Sequence, residues 1–456
     1  MTEQTADSTL RSLGYEPRFR RVLSRRDLII YGLVILTPTA PYPVYGIVQQ
    51  VSHGHAALCY LAAMLAMMFT ALSYGRMAGA FPAAGSTYTY VQRGLGAHVG
   101  FLAGWGMILD YFFIPLLSVI YAALTAERLL PQVPYKVWAV LFAVAITWTN
   151  LRGIRSTART GTVLMWLMSA CAVLFIVLAA MRVAAAHGAG ALLSAQTIFR
   201  PEEFSLRALM LGTGIASLSY IGFDAISTLA EDVRKPERDI AIATVLVCVI
   251  QTVVCFATVY LAALVWPDYR TLPNQETAIL DIGRAVGGDW MFGAITFILL
   301  VAGLASALTG QAAASRLLFG MGRDGVLPRS IFAHIDERTS TPSRSVLVMG
   351  ACALIGSMLM GFQLAVELLN FGAFLGFILV NVSVVRHFYF RLGQRGGWGW
   401  MANLVAPFCG AAACLYIWLS LTWKAQAAGF AWVLVGLIYL AVLTRGFRRK
   451  PVTLEI

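Results

Sequence analysis

Residues 28–50 read LIIYGLVILTPTAPYPVYGIVQQ, an apolar stretch that three prolines interrupt near its middle. A membrane-crossing helix needs about 20 apolar residues, so this stretch is long enough to span a bilayer. A second apolar stretch, 205–230, is interrupted in the same way at 217–222, which reads SLSYIG. Interrupted helices at matching places in two halves of a chain are typical of secondary transporters, whose binding sites they form. The two stretches therefore predict a solute site near the middle of a membrane.

The composition of the chain also belongs to the membrane class. Of the 456 residues, 59% are hydrophobic and 12% are charged, whereas soluble proteins carry about 25% charged residues. We therefore predict an all-α integral membrane protein with about twelve transmembrane helices. The apolar runs that we number as spans 1 to 12 are 28–50, 55–80, 97–126, 135–152, 160–183, 205–230, 240–266, 288–315, 343–361, 364–387, 401–423 and 427–445.

The basic residues predict the orientation of the chain. With residues 1–27 on the inside, 26 of the 34 Lys and Arg residues fall in inner segments. This asymmetry predicts a multi-pass protein of a bacterial-type inner (plasma) membrane, with both termini cytoplasmic. It also accounts for most of the net charge of +12, so the lipid bilayer is the expected partner and nucleic acid is not.

The sequence lacks the signals of an enzyme or of a bound metal. The seven cysteines lie almost entirely in apolar runs, as small buried side chains do. The six histidines have no metal-ligand spacing, and we expect His53 and His55 at the surface of an outer loop. Since no nucleophile–base pair or phosphate loop occurs, we predict no enzyme activity, no cofactor and no metal site.

Two carboxylates lie deep in predicted spans, where ionisable groups are costly and usually functional. Asp110 is in span 3, and Asp224 follows the interruption of span 6. Every Lys and Arg lies at a span end or in a loop, so each acid must be protonated, be hydrated or meet a cation from outside the protein. Two structural alternatives stay open: Asp224 as a helix cap and Asp110 as a tether to a neighbouring helix. Glu367, at the outer start of span 10, is expected to be a solvated rim charge.

The interruption of span 1 is unsuited to holding a carboxylate. An anion-binding backbone needs converging N–H donors, and Pro38, Pro41 and Pro43 have none. Tyrosine rings nearby can instead present aromatic faces to a cation, although membrane tyrosines often serve only in packing. This combination favours a positively charged solute over a zwitterion. The tyrosines are Tyr42, Tyr45, Tyr111 and Tyr220.

Weaker candidates lie in spans 8 and 10. Asn370 and Phe371 in span 10, and Ser306 and Thr309 in span 8, carry side chains that can line a cavity. Small residues in span 8 are equally typical of close helix packing.

Four sequence motifs resemble those of the amino acid–polyamine–organocation superfamily of permeases, and the likeness runs through nearly all of 28–445. One is FPAAGSTY with GFLAGW at the entry to span 3, and another is YIGFD in span 6. The third, AEDVRKPERDI, follows span 6, and the fourth, RLLFGMGRDGVLP, follows span 8. They occupy residues 81–88 with 100–105, 220–224, 230–240 and 316–328.

The resemblance implies an inverted five-plus-five repeat of the leucine-transporter type, with broken helices 1 and 6. It also implies alternating access around a site between spans 1, 3, 6, 8 and 10. The implied divisions are a cytoplasmic tail, repeat one with spans 1–5, repeat two with spans 6–10, two peripheral spans, and a second cytoplasmic tail. Their bounds are 1–27, 28–183, 205–388, 400–446 and 447–456.

Two departures from the family pattern bear on the cargo. The usual Gly-Ser-Gly of span 1, which holds a substrate carboxylate in relatives, is replaced by the proline-rich run 37–43. The lysine of span 5 in some proton-coupled relatives corresponds to Met168. Both departures, with Asp110 and Tyr111, resemble a branch of putrescine importers. Asp224 holds the position of the acid that handles protons or cations in arginine and polyamine relatives.

The leading hypothesis from the sequence is a proton-coupled importer of a small cationic amine such as putrescine. Asp110 and Asp224 pair with the ammonium groups and exchange protons, with Asp224 favoured for the proton, and sodium is the alternative coupling ion. The alternatives are a cationic or neutral amino acid permease or exchanger and, more remotely, a transporter-derived sensor. The complete set of predicted substrate-binding residues is Asp110, Tyr111, Asp224, Tyr220, Tyr42, Tyr45, Thr39, Phe223, Asn370 and Phe371.

Overall fold

The computed structural model describes residues 23–81, 86–152, 158–230, 232–323, 327–336 and 341–449. The predicted tails 1–27 and 447–456 lie partly outside these described residues. The same holds for parts of three motifs, at 82–85, 231 and 324–326.

The described chain is helical throughout, which confirms the predicted all-α class. Nine of its helices are long and apolar enough to cross a membrane, and two further apolar helices are shorter. Span 1 consists of two half-helices, so each of the twelve apolar runs has its helix. The spans are Arg25–Leu36 with Tyr45–Val51, Ala56–Ala80, Ala97–Leu129, Tyr135–Leu151, Ala158–His187, Leu206–Ala216 with the 3₁₀ turns Ser217–Tyr220 and Phe223–Leu229, Pro236–Val265, the part of Ala278–Arg323 that follows a kink at Gly288, Ser343–Leu359, Phe362–Val384, Ala406–Ser420 and Trp423–Leu443.

Short elements join the spans. The helix Ser86–Leu95 precedes span 3, and the helix Arg329–Phe332 lies between spans 8 and 9. Short 3₁₀ turns occupy the loops before span 6 and after span 7. Span 10 continues into a π-helix at Val385–Arg391, and a second π-helix, Met401–Val405, leads into span 11.

Span 3 is a central packing element. It packs against spans 8 and 10, and its contact with span 10 is close because two glycines face each other there. A Cβ atom on Gly372 would lie 2.4 Å from the carbonyl oxygen of Gly106. Small residues at such crossings allow membrane helices to approach backbone to backbone. This approach lies one helical turn before Asp110 in span 3.

A reciprocal tryptophan pair holds span 12 to span 3. The indole N–H of Trp105 donates to the carbonyl of Trp432 at 2.9 Å, and Trp432 donates to the carbonyl of Trp105 at 3.0 Å. The two rings stack with their centroids 4.8 Å apart. Both indole donors are therefore satisfied inside the apolar contact.

Glu367 is not the solvated rim charge that its place in the sequence suggested. Its side chain is fully buried and accepts hydrogen bonds from the backbone N–H of Thr422 at 2.9 Å and from the Thr422 hydroxyl at 2.5 Å. Gln363 donates to its other oxygen at 2.9 Å. The expectation was wrong because the start of span 12 packs over span 10, and the carboxyl group caps its first turn.

We expect Glu367→Leu to lower the free energy of unfolding by about 1–3 kcal/mol, since it leaves the donors of Thr422 and Gln363, which are partly buried, without an acceptor. A thermal melt of the detergent-purified protein measures the effect. Glu367→Gln keeps an acceptor oxygen, so its melting temperature should lie between those of Glu367→Leu and the wild type. Glu202→Gln, at an exposed residue, serves as the control. A Glu367→Leu variant with the melting temperature of the wild type would contradict the capping role.

Two smaller expectations also need correction. His53 is exposed as predicted, but His55 is only 1% exposed. Its ring lies against Phe199 and Phe204, and its Nε2 accepts the backbone N–H of Arg200 at 3.1 Å. The loop before span 6 folds over it, which local sequence does not reveal. Of the seven free cysteines, five are buried and two, Cys352 and Cys409, are exposed.

Candidate functional site

The interruption of span 1 begins where the first half-helix ends, at Thr37. This residue has a positive φ of 53°, and the prolines that follow cannot donate hydrogen bonds to the carbonyls of that last turn. Gln251 of span 7 supplies the donors instead, with its Nε2 3.3 Å from the carbonyl oxygen of Leu36 and 2.9 Å from that of Thr37. Thr39, in the middle of the interruption, is 2% exposed. Span 7 therefore fixes the shape of the interrupted segment.

The interruption of span 6 turns at Gly222, which has φ 109° and ψ −11°. This conformation is open to glycine and strained for other residues. Asp224 lies in the first turn of the 3₁₀ helix Phe223–Leu229, which begins directly after Gly222. The Ser227 hydroxyl donates to the Asp224 carbonyl at 2.6 Å and lies 2.9 Å from the Ser86 hydroxyl. The first turn of a helix has free backbone N–H groups, which favour a carboxylate at this position.

Asp110 lacks such support. Its side chain is 8% exposed, and its Oδ1 has no hydrogen-bond partner among the described residues. Asp224 is 9% exposed and lies within electrostatic range of Asp110. None of the ion pairs between described residues involves either acid. The structure therefore brings the two predicted acids into one region and provides no described counter-ion for them.

Tyrosines surround this pair of acids. Tyr111 lies within electrostatic range of both carboxyl groups and of Tyr31. Tyr31, on the first half-helix, is 37% exposed and lies within electrostatic range of Asp224. Tyr31 was not among the residues predicted from the sequence. In the sequence, Tyr31 stands out as a single polar ring in the apolar half-helix, six residues before the interruption of span 1.

Three predicted residues use their side chains in packing. Tyr220 is buried, and its hydroxyl donates to the Tyr60 carbonyl at 3.2 Å and lies 2.9 Å from the Thr252 hydroxyl. The ring of Phe223 lies 5.5 Å from that of Tyr74 and 5.1 Å from that of Phe377. Phe371 contacts Trp418 and Phe430, with ring centroids 4.6 and 5.3 Å away. Phe371 thus faces spans 11 and 12, and Tyr220 joins span 6 to spans 2 and 7.

Asn370, Tyr42 and Tyr45 are buried with unsatisfied polar atoms. The Asn370 amide donates to the carbonyl of Gly214, at the end of the first half of span 6, at 2.7 Å. Its Oδ1 and the hydroxyls of Tyr42 and Tyr45 have no partner among the described residues. These atoms retain the capacity to bind a polar ligand or water.

The weaker candidates of span 8 are exposed. Ser306 and Thr309 both reach the surface of the chain, and the Thr309 hydroxyl donates to carbonyls of its own helix at 3.0 and 3.1 Å. Gly310, on a neighbouring face, packs against Ile114 of span 3. The hydroxyl groups and the close-packing surface therefore lie on different faces of this helix.

Comparison with known proteins identifies the family. Residues 44–444 match the sequence profile of the family described as amino acid permease. The chain belongs to the amino acid permease family. This confirms the resemblance that the motifs indicated, and it makes the protein a multi-pass membrane permease and not an enzyme.

Curated relatives of this permease differ in the cargo that their names state. It is 32% identical over 431 residues to the low-affinity putrescine importer PlaP of Escherichia coli (strain K12), a match that covers 94% of this chain and 95% of the relative. It is 26% identical to the branched-chain amino acid permease BcaP of Bacillus subtilis (strain 168), over 94% of each chain. It is 28% identical to the vacuolar cationic amino acid transporter 4 of Arabidopsis thaliana, over 80% of this chain and 62% of the relative.

The chemistry that the permease offers at this place is electrostatic. Among the described residues, no group of three His, Cys, Asp or Glu side chains is placed to hold a metal ion. The carboxyl groups of Asp110, on span 3, and Asp224, after the interruption of span 6, lie within electrostatic range of each other and of Tyr111. Such a set is suited to binding an ammonium group by charge, hydrogen bonding and aromatic contact.

Gln251 is the clearest residue of the permease that sequence reasoning missed. It is 1% exposed and contacts the interruption of span 1 directly. In the sequence, Gln251 stands out as an isolated amide side chain in the middle of the apolar run 240–266. A polar side chain at that depth must find a partner, and the carbonyls exposed by a proline-rich interruption are natural acceptors.

Proposed function

We propose that this permease imports a small diamine such as putrescine, with its ammonium groups bound by Asp110 and Asp224. The observation that carries the proposal is the pair of buried acids without a described counter-ion, beside an interruption that lacks the N–H donors needed to hold a carboxylate. A diamine supplies two positive charges and no negative one. The likeness to a putrescine importer over nearly the whole chain supports the same cargo.

We propose proton coupling by alternating access in an inverted five-plus-five repeat, with repeats at 28–183 and 205–388 and both termini cytoplasmic. For import driven by the inward proton gradient, the inward step carries a proton on the pair of acids together with the amine, and both are released on the inner side before the empty carrier returns. The sequence favoured Asp224 for this exchange. The unpartnered oxygen of Asp110 makes that residue an equal candidate, because nothing described there stabilises its charge.

Among the remaining predicted binding residues, we propose Tyr111, Tyr42, Tyr45, Thr39 and Asn370 as direct contacts of the amine or its carbon chain. Tyr220, Phe223 and Phe371 act by holding spans 6 and 10 in place. Tyr31 joins the site on the side of the first half-helix. Each of these assignments rests on the contacts described above and on the proximity of Tyr31 and Tyr111 to the acids.

The second candidate function is transport of a cationic or neutral amino acid. It is favoured by the printed names of two relatives, a branched-chain amino acid permease and a vacuolar cationic amino acid transporter. The two functions differ in whether the site tolerates a carboxylate. Competition between a diamine and its carboxylated parent amino acid therefore separates them.

In proteoliposomes with an imposed pH gradient, we expect unlabelled putrescine to suppress uptake of labelled putrescine at least about tenfold more effectively than ornithine does. The reason is that the ornithine carboxylate would have to enter a site of negative charge without donors, at a cost of more than about 1.4 kcal/mol. Collapsing the gradient should abolish accumulation, whereas exchanging sodium for potassium should leave it unchanged. Ornithine competing as well as putrescine would favour the amino acid function.

A further inference from the structure

One end of the bundle carries positive charge without neighbouring acids. It consists of the loop 392–400 between spans 10 and 11 and the helix ends around it. The sequence contains no Asp or Glu in 28–109 or in 368–449, the two stretches that build this region. Other loops at the same end mix both signs: Arg25 pairs with Asp239 at 2.7 Å, and Asp336 follows span 8. A general excess of inner positive charge does not require acids to be absent from one region alone.

Four arginines form this surface, which we call the basic loop surface: Arg76, Arg386, Arg391 and Arg395. Neutral groups hold the side chains of three of them in place without neutralising them. Arg386 donates to the carbonyl of Leu95 at 2.7 Å, and Arg395 to that of Tyr389 at 3.2 Å.

Arg76 is held similarly by neutral partners. Its guanidinium lies 3.3 Å from the side-chain oxygen of Gln394 and 4.7 Å from the centre of the Phe388 ring. Its Nε is buried and has no partner among the described residues. Amide, carbonyl and ring contacts leave the positive charge of the arginines available to an anion.

Exposed aromatic and aliphatic side chains border the same arginines. The exposed fractions are 62% for Phe390, 52% for Leu392, 83% for Trp398 and 49% for Trp400. Tryptophan is enriched at the level of lipid headgroups because its ring is partly apolar and partly polar. A loop that joins unpaired arginines to exposed indoles is complementary to a molecule with an anionic head and apolar chains.

We propose that the basic loop surface binds the headgroup of an anionic phospholipid. Arg391 and Arg395 contact the phosphate, Arg76 adds its charge from the side of span 2, and Trp398 and Phe390 lie along the acyl chains. The proposal rests on the proposed orientation, which sets this end of the bundle in the inner leaflet. It does not depend on the identity of the cargo.

Quenching of tryptophan fluorescence by brominated lipids tests the proposal. The full chain is reconstituted into nanodiscs of phosphatidylcholine that contain a small fraction of brominated phosphatidylglycerol or brominated phosphatidylcholine. We expect stronger quenching by the brominated phosphatidylglycerol, and we expect this excess to disappear in Trp398→Phe. In Arg391→Gln/Arg395→Gln, the concentration of the anionic lipid needed for half of the excess should rise about 30-fold, since two basic residues near the anionic surface are lost.

The matched control is Arg329→Gln/Arg344→Gln, which removes two exposed arginines from the loop between spans 8 and 9, where acids are present. It should retain the excess quenching. Loss of the excess in this control to the same extent, or equal quenching by both lipids in the wild type, would overturn the proposal. A thermal shift of detergent-purified protein by inorganic phosphate as large as that by short-chain phosphatidylglycerol would also overturn it, since the surface would then bind a free anion.

Discussion

Asp110→Asn is expected to lower kcat/KM for putrescine uptake by about 10- to 100-fold. The substitution preserves the shape of the side chain and removes its charge, and a hydrogen bond to a charged group is worth about 1.5–3 kcal/mol. Asp110 is the cleaner of the two acids to change, because its Oδ1 has no partner among the described residues. Asp224→Asn also places an amide N–H donor at the start of the 3₁₀ turn that follows Gly222, so its loss of transport combines two causes. Initial rates in proteoliposomes under a fixed pH gradient measure both effects.

Asp289→Asn is the matched control for this experiment. Its side chain is 90% exposed and its ion pair with Arg284 lies at the surface, where such pairs contribute little. We expect wild-type uptake from it. If Asp110→Asn and Asp224→Asn both transported putrescine with wild-type kcat/KM, the proposed pairing with ammonium groups would be wrong.

Gly222→Ala is expected to reduce the rate of putrescine uptake to less than about a tenth of the wild-type rate. It is also expected to lower the free energy of unfolding by about 2 kcal/mol or more. The residue has φ 109°, a conformation that costs a side-chain-bearing residue about 1–3 kcal/mol. Its new Cβ would also lie 2.4 Å from Cγ2 of Ile35 on the first half-helix. Both effects displace the backbone that precedes Asp224. Uptake rates and thermal melts of the purified protein report the two losses.

A double variant separates the two causes. Ile35→Ala removes the atom that the new methyl group would meet, so Gly222→Ala/Ile35→Ala should recover the part of the loss that is steric and keep the part that comes from φ. Gly293→Ala is the control, because a Cβ there meets no atom within 4 Å and its φ is not positive. Wild-type uptake and melting of Gly222→Ala would contradict a conformational requirement at this turn.

The sequence predicted the architecture well because membrane crossing is a local property. Each apolar run of sufficient length became a helix, and the interruptions of spans 1 and 6 lie where proline and glycine stand in the chain. Proline lacks the N–H group and Gly222 adopts a positive φ, so these positions break helices whatever surrounds them. The presence of helices and interruptions thus followed from residue chemistry alone.

The site was predicted less completely because it depends on which helix faces which. The sequence identified Asp110 and Asp224 from their depth, and the structure brings them into one region. The sequence did not reveal that Phe371 faces spans 11 and 12. It also did not reveal that Gln251 of span 7 contacts the interruption of span 1. Glu367 was misjudged for the same reason, since its partner Thr422 lies 55 residues further along the chain. Such contacts between distant segments leave no local pattern.

The unpartnered buried atoms around the interruptions bear on the energy of the transport cycle. The hydroxyls of Tyr42 and Tyr45 and the Oδ1 atoms of Asp110 and Asn370 have no partner among the described residues in this conformation. A buried polar atom without any partner costs about 1–3 kcal/mol, so each of these atoms favours a conformation or a ligand that supplies one. In the alternating-access cycle proposed above, a conformation that provides such partners would gain stability from them and offset some loss of helix packing. The free-energy difference that a weakly bound cargo has to overcome would then be smaller.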